Sequence, residues 1–208
     1  MNKNLLSYLK EAGINILVVE KKQSIFEAFS AALKYIGNQD IVILCHDDIE
    51  IWSDKKILKK WLNLYCFKDD IGFVGIAGTK KMPKSGIWWE GLRNPTNNLA
   101  GMAYHPLPGN NELTPLTYFG EPFSYVEAMD GVFLATTGAK LKEAGTEKPS
   151  WMPEECNWDF YDISLTYNLT KKGFHNIVLP IQIFHESPGI PRDSWNAARE
   201  AFVKRFMD

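Results

Sequence analysis

The residues best suited to chemistry lie in IVILCHDDIEIW, residues 41–52. Ile41 to Cys45 form an apolar run that reads as a buried strand. The run passes straight into His46, Asp47 and Asp48 before apolar residues resume at Ile49. Two adjacent carboxylates at the mouth of a buried strand repel each other and lose hydration, unless a cation sits between them or water reaches them. Hard divalent cations bind carboxylate oxygens, and Mg²⁺ or Mn²⁺ at a nucleotide site takes one or two carboxylates together with substrate phosphates. Ligands of open α/β sheets bind outside the carboxyl ends of the strands, which is where this pair would stand. A helix cap or a solvated turn uses the same residue types, so the three letters HDD leave both readings open.

The elements that must position this pair follow from periodicity. Leu5, Leu6 and Leu9 predict a short first helix ending at Gly13, and INILVVE (14–20) reads as a strand. Ser24 and Glu27 make a capping box, after which Phe26, Phe29, Leu33 and Ile36 recur at helical spacing up to Gly37. Beyond strand 41–45, the residues Ile57, Leu58, Trp61 and Leu62 predict a helix over 53–65, and IGFVGIAG (71–78) reads as another buried strand. Helix and strand thus alternate with short connections over the first 80 residues, the pattern of a parallel α/β sheet.

The middle of the chain differs. Residues 79–122 are rich in Gly, Pro and Asn and read as a long loop region whose embedded aromatics argue against disorder. SYVEAMDGVFLAT (124–136) returns to strand character, interrupted at Asp130–Gly131. A helix is expected over 157–173, an extended segment over 176–187, and an amphipathic helix from Pro191 to Asp208 through Trp195, Ala198, Phe202 and Phe206. Nothing suggests a repeat or a boundary, so a single domain over 1–208 is expected.

Composition narrows the partners. The formal net charge is −2, which gives no electrostatic case for a nucleic-acid or anionic-membrane surface. No apolar run approaches the roughly 20 residues of a membrane helix. MNKNLLSYLKEAG lacks the apolar core and cleavage site of a signal peptide. Cys45, Cys66 and Cys156 are odd in number and widely spaced, so a cytoplasmic protein with free thiols is the plain expectation. Among the seven tryptophans, Trp61 and Trp195 suit helix–sheet packing, whereas neighbours Trp88 and Trp89 would point to opposite faces of an extended segment.

The order of motifs carries more than any one of them. A strand ending in CHDD, a helix, VGIAGTK, GIWWEG, a strand with MDGVFLAT, then WDFYDISL and a last strand running into HES together resemble the family 2 glycosyltransferases of the GT-A fold. The branch most similar is that of streptomycin-biosynthesis-type glycosyltransferase domains, and the resemblance covers roughly residues 14–187. It implies a single α/β domain with a mostly parallel central sheet, a nucleotide-diphosphate sugar as donor, a glycan or other hydroxyl acceptor, and Mn²⁺ or Mg²⁺ as cofactor. By the same resemblance Asp47 takes the place of the last Asp of the metal-binding motif, with Asp48 beside it and Cys45 where the first Asp usually stands. Asp130, followed by Gly131 in MDG, matches the acidic residue near the sugar or acceptor. Asp162 matches the catalytic base, with Tyr161 before it where Glu is more usual, and His185 matches a late histidine that closes the metal site. Trp88 and Trp89 match an aromatic segment near the acceptor groove.

Each assignment has a physical reason and a plainer competitor. A divalent cation held by Asp47, Asp48 and His185 would stabilise the charge that grows on a departing diphosphate. An inverting transfer needs a carboxylate within hydrogen-bond reach of the acceptor hydroxyl, which suits Asp162; the competitor is an acidic residue favoured by a helix N-terminus. His185 could equally be a core histidine. Trp88 and Trp89 offer flat faces to sugar C–H groups, or pack in the core. Asp159, His46, His105 and His175 are read as structural or solvated.

One part of the family pattern is missing. INILVVE aligns with the family's second strand, so the first βα unit, which holds the nucleotide base, has no counterpart. Two functional classes therefore stand: a metal-dependent glycosyltransferase, and a non-catalytic domain of the same fold that binds a sugar, nucleotide or protein. Self-association stays open for both.

Overall fold

The computed structural model describes residues 2–90, 97–106, 114–146, 152–187 and 193–208. Parts of the long middle segment (91–96 and 107–113), Trp151 and the start of the last helix (191–192) lie outside the described residues.

The helices begin where their caps say they should. Asn2 accepts the Asn4 N–H to open α1 (Lys3–Glu11), which buries Leu5 and Leu9. Ser24 accepts from the Glu27 N–H at 3.1 Å, and Glu27 reaches back to the Gln23 N–H, opening α2 (Ile25–Ala32). Asp54 caps α3 (Lys55–Cys66), whose Leu58, Leu62 and Cys66 are buried. A short α4 (Gly138–Leu141), α5 (Tyr161–Lys171) and α6 (Asp193–Phe206) complete the set.

The strands, in chain order, are β1 (Ile41–Cys45), β2 (Ile49–Ile51), β3 (Ile71–Gly75), β4 (Ala77–Thr79), β5 (Leu99–Tyr104), β6 (Leu116–Gly120), β7 (Ser124–Val126), β8 (Ala128–Met129), β9 (Phe133–Thr137), β10 (His175–Val178) and β11 (Ile183–His185). They form two sheets, ordered β1-β9-β3-β10-β7 and β2-β11-β5-β4-β8, with β6 beside β5. Consecutive strands hand over from one sheet to the other at β1/β2, β2/β3, β3/β4, β6/β7, β7/β8, β8/β9 and β10/β11. The two sheets therefore share a seam, crossed seven times by the described strands. Helices α3 and α5 pack on the first sheet, and Phe73, Phe133, Leu134 and Leu165 are fully buried.

The α/β fold agrees with the sequence, and the arrangement is that of a single GT-A-like domain. Three of its details need correction. First, the central sheet is mixed rather than mostly parallel. β1, β3 and β10 share a direction, but β9 runs against both its neighbours and β7 runs against β10. The reason is that β8 and β9 run back along β4 and β3 only after the chain has passed through β5, β6 and β7. A connection of that length leaves strand direction open, so the alternation of the first 80 residues does not fix it.

Second, the strand expected over 14–20 does not form. Ile14 and Ile16 pack against the core, while Leu17 and Val18 are exposed and no sheet partner is present among the described residues. Strand propensity counts only where a ladder accepts it. The edge strand β1 accordingly pairs with β9 alone.

Third, the long loop contains β5 and β6. Gly101 lies at φ +105, and a Cβ there would come within 1.9 Å of the Ile76 carbonyl oxygen, so the small residues that hid this strand are what let it approach β4.

Among the described residues no helix is long and apolar enough to cross a membrane.

Candidate functional site

The seam between the sheets collects the chemical side chains. His46, Asp47 and Asp48 make the turn from β1 into β2. The His46 N–H is tied to the Val132 carbonyl at 3.2 Å and the Asp47 carbonyl to the Asn2 N–H at 2.8 Å. His46 and Asp48 fall on one side of this turn, with His46 Nδ1 4.0 Å from Asp48 Oδ1, and Asp47 is exposed. Pairing of β11 with β2 sets His185 opposite Ile49, which brings His185 Nε2 to 3.4 Å from Asp48 Oδ1 and 3.2 Å from His46 Nδ1. Pairing of Phe184 with Tyr104 adds His105, whose ring centroid is 5.8 Å from that of His185 and whose Nδ1 contacts Thr117 Oγ1 at 3.1 Å.

Burial keeps the His185 imidazole on the neutral side, with Asp48 opposing that shift and His46 reinforcing it. Burial lowers His105 likewise, against a pull from Asp130. Cys45, at the position where a carboxylate was expected, has its thiol pushed up to about 11 by burial and by Asp47, so it stays protonated and is a poor ligand at neutral pH. A neutral imidazole and a carboxylate 3.4 Å apart suit a divalent cation, so Asp48 and His185 fit the implied metal.

The carboxylate end of the seam is built from backbone. Strand β8 leaves its ladder at Asp130, whose N–H donates to Ala77 at 3.0 Å and whose Oδ1 accepts from Val132 N–H at 2.9 Å. Asp130 thus lies where the chain passes from the second sheet, in β8, to the first, in β9. Gly131 donates its N–H to Asp162 Oδ2 at 2.6 Å, and a Cβ on it would stand 2.8 Å from the Asp162 side chain and 3.0 Å from the Tyr161 hydroxyl. Asp162 sits in the first turn of α5, immediately after Phe160, a buried residue in the left-handed region at φ 61. A bulky residue held there is strained, and such strain gathers at functional positions.

Burial first, and Asp130 second, push the Asp162 carboxyl up to about 7. The Tyr161 phenol is raised by burial and by the same two aspartates, so it remains a proton donor. Asn176 fixes the frame: its side-chain oxygen accepts from the Phe73 N–H and its NH₂ donates to Thr166 and Thr170 of α5, while Thr166 Oγ1 accepts from the Met129 N–H. Asp130 stands between the two ends, acting electrostatically on Asp162 and Tyr161 and also on His105 and His185.

The aromatic candidates lie elsewhere. Trp88 is 5% exposed, packed edge-on against Trp89 and tilted against Phe119, and Trp89 packs on Trp195 of α6. Trp88 therefore has no open face for a sugar. Beside the turn, Trp52 faces solvent, 43% exposed, stacked on Phe184 at 5.6 Å and tilted against Tyr104 at 5.0 Å. Sequence reasoning passed over Trp52, although the alternation of Ile49, Glu50, Ile51 and Trp52 already puts Glu50 and Trp52 on the outward face. It read His46 as structural or solvated, and the two-residue spacing from Asp48 across a turn is what brings the two side chains together.

No curated protein matches this chain. A family model described as a glycosyltransferase-like family matches residues 3–206, nearly the whole sequence. That span includes β1, both ends of the seam and all six helices, and on that basis the chain belongs to the glycosyltransferase-like family.

Proposed function

We propose that this chain transfers a sugar from a nucleotide-diphosphate sugar to a hydroxyl acceptor, by an inverting, metal-dependent reaction in which Asp162 is the general base. The motif order that supports it is that of the streptomycin-biosynthesis-type branch. Support comes above all from one observation: Asp130 acts electrostatically on Asp162 at one end of the seam and on His185 at the other, so both ends lie within reach of one acidic group. A base whose proton affinity is centred near 7 is matched to deprotonating a hydroxyl at neutral pH. The Asp162 carboxyl is held by the N–H groups of Gly131, Ile163 and its own residue, and its side chain is only half-buried, which leaves an approach for the acceptor. Asp130 raises the basicity of Asp162 and is placed to meet sugar hydroxyls. Asp48 and His185 would hold Mn²⁺ or Mg²⁺, and the bound ion supplies charge stabilisation for the leaving diphosphate. Of the two tryptophans expected at the acceptor, Trp89 is the one with exposed surface to offer.

The unpaired edge of β1 favours a second reading, a sugar- or nucleotide-binding domain without turnover, because the segment 14–20 builds no strand there. The deciding measurement is turnover of a panel of nucleotide-diphosphate sugars, covering each base, with Mn²⁺ or Mg²⁺ and with chelator. Sugar release or transfer that needs Asp162 supports the first reading. Saturable donor binding without turnover by the native protein replaces it with the second.

A further inference from the structure

We propose that His46 is a third metal ligand and that the resulting two-histidine, one-carboxylate set makes this a site for a nitrogen-preferring transition ion of the Zn²⁺ or Co²⁺ class rather than for Mg²⁺. The proposal rests on the cation-binding part of the function proposed above and specifies which ion that site takes. Its first ground is distance. His46 Nδ1, Asp48 Oδ1 and His185 Nε2 are separated by 3.2, 3.4 and 4.0 Å. Ligands bonded at about 2.1 Å to one ion stand roughly 3.0 Å apart at octahedral cis positions and roughly 3.4 Å apart at tetrahedral ones. The two edges that meet at His185 are of that size, and the 4.0 Å edge between His46 and Asp48 needs only a small closure across a half-exposed turn.

The second ground is the contact between the two rings. Each neutral imidazole has one N–H and one bare nitrogen. The two nitrogens at 3.2 Å therefore either pair as donor and acceptor or both turn bare nitrogens to a common cation, and the contact is close enough for the second arrangement. The third ground is placement. His46 and Asp48 are partly exposed, which leaves an approach from solvent, while His185 is buried and braced by its β2 and β5 neighbours. Two imidazoles and one carboxylate are donors that Zn²⁺, Co²⁺ and, less strongly, Mn²⁺ accept. Mg²⁺ demands oxygen ligands and retains its water.

The test uses the untagged, metal-free full-length chain, with Zn²⁺, Co²⁺, Mn²⁺ and Mg²⁺ titrated separately by calorimetry in the absence of any sugar donor. The native protein should follow the order Zn²⁺ above Co²⁺ above Mn²⁺, with Mg²⁺ weakest. Loss of even an outer hydrogen-bond partner of a ligand costs roughly 10- to 100-fold in affinity, and His46→Ala should cost at least as much for Zn²⁺. His46→Asp should compress or reverse the Zn²⁺ preference over Mg²⁺. Circular dichroism of each variant separates a lost ligand from a lost fold, and if His46→Ala is unfolded the His46→Asp comparison decides. Zn²⁺ affinity unchanged in folded His46→Ala, or a native protein that prefers Mg²⁺, overturns the proposal. Sugar transfer is read separately: transfer that persists in chelator sinks the metal assignment but leaves the transferase reading intact. Selective Zn²⁺ binding with no turnover of any donor does the reverse.

Discussion

The two ends of the seam are built by opposite means. At the carboxylate end Asp130 and Asp162 are fixed by backbone. The Ala77 carbonyl and the Val132 N–H hold one, the Gly131 N–H grips the other, and a strained Phe160 starts the helix that carries it. No room is left for a Cβ at Gly131. At the histidine end the backbone supplies only an ordinary turn and two short ladders, and the chemistry depends on which side chains stand at 46, 48 and 185. The first end is rigid and sensitive to shape. The second is adaptable in shape and sensitive to donor identity. That contrast suits a transfer reaction, in which a proton must move over a fixed short distance while a bound ion tolerates several arrangements.

Four expected outcomes would sharpen or break the contrast. The largest effect belongs to Asp162→Asn, which should lower transfer per folded molecule by about 10²- to 10⁴-fold with donor affinity nearly unchanged, as steady-state rates beside donor titration would show. Native activity should rise with pH through about 7 as this carboxyl loses its proton. The sign for stability is opposite. The folded carboxyl titrates at about 7, the unfolded one near about 4. The native state therefore holds an extra proton between those values, and this group's contribution to stability falls as pH rises through that window. Urea unfolding at pH 5 and pH 8 should show that fall in the native protein and less of it in Asp162→Asn.

Gly131→Ala comes next. Its Cβ would meet Asp162 and Tyr161 at 2.8 to 3.0 Å, and overpacking of this kind costs about 1–3 kcal/mol. Chemical denaturation should show that loss, and transfer should drop in the fraction that stays folded, because Asp162 is displaced. At the other end Asp48→Asn keeps the shape and removes a donor, so it should weaken metal binding by roughly 10- to 100-fold with little change in unfolding midpoint. A comparable loss of stability there would mean that both ends are shape-determined. The smallest effect is expected for Asp47→Asn: Asp47 is exposed and outside the 46–48–185 group, so metal affinity should move by less than about threefold. Equal losses in Asp47→Asn and Asp48→Asn would break the geometric distinction between them.

Much of this was legible in the residues because it is local. The cap at Ser24 and the apolar period of α3 announce their helices, and the structure adds caps at Asn2 and Asp54. The apolar runs ending at Cys45, Gly75 and Val178 set strands whose side chains are buried or half-buried. The acidic residues were visible as carboxylates out of place in apolar surroundings. Their grouping was not. That His46 and Asp48, rather than Asp47 and Asp48, share a side depends on the turn between two sheets, and that His185 meets them depends on the register of β11 against β2. INILVVE has the composition of a strand and forms none, whereas LAGMAY lacks that composition and pairs on both sides. The amino-acid sequence by itself determined which segments are helical, which are apolar and which residues could carry charge or ligate. Tertiary structure alone decided strand direction, partner and proximity, because a ladder forms only where another strand presents its edge, and the seam that gathers the site exists only once both sheets are paired.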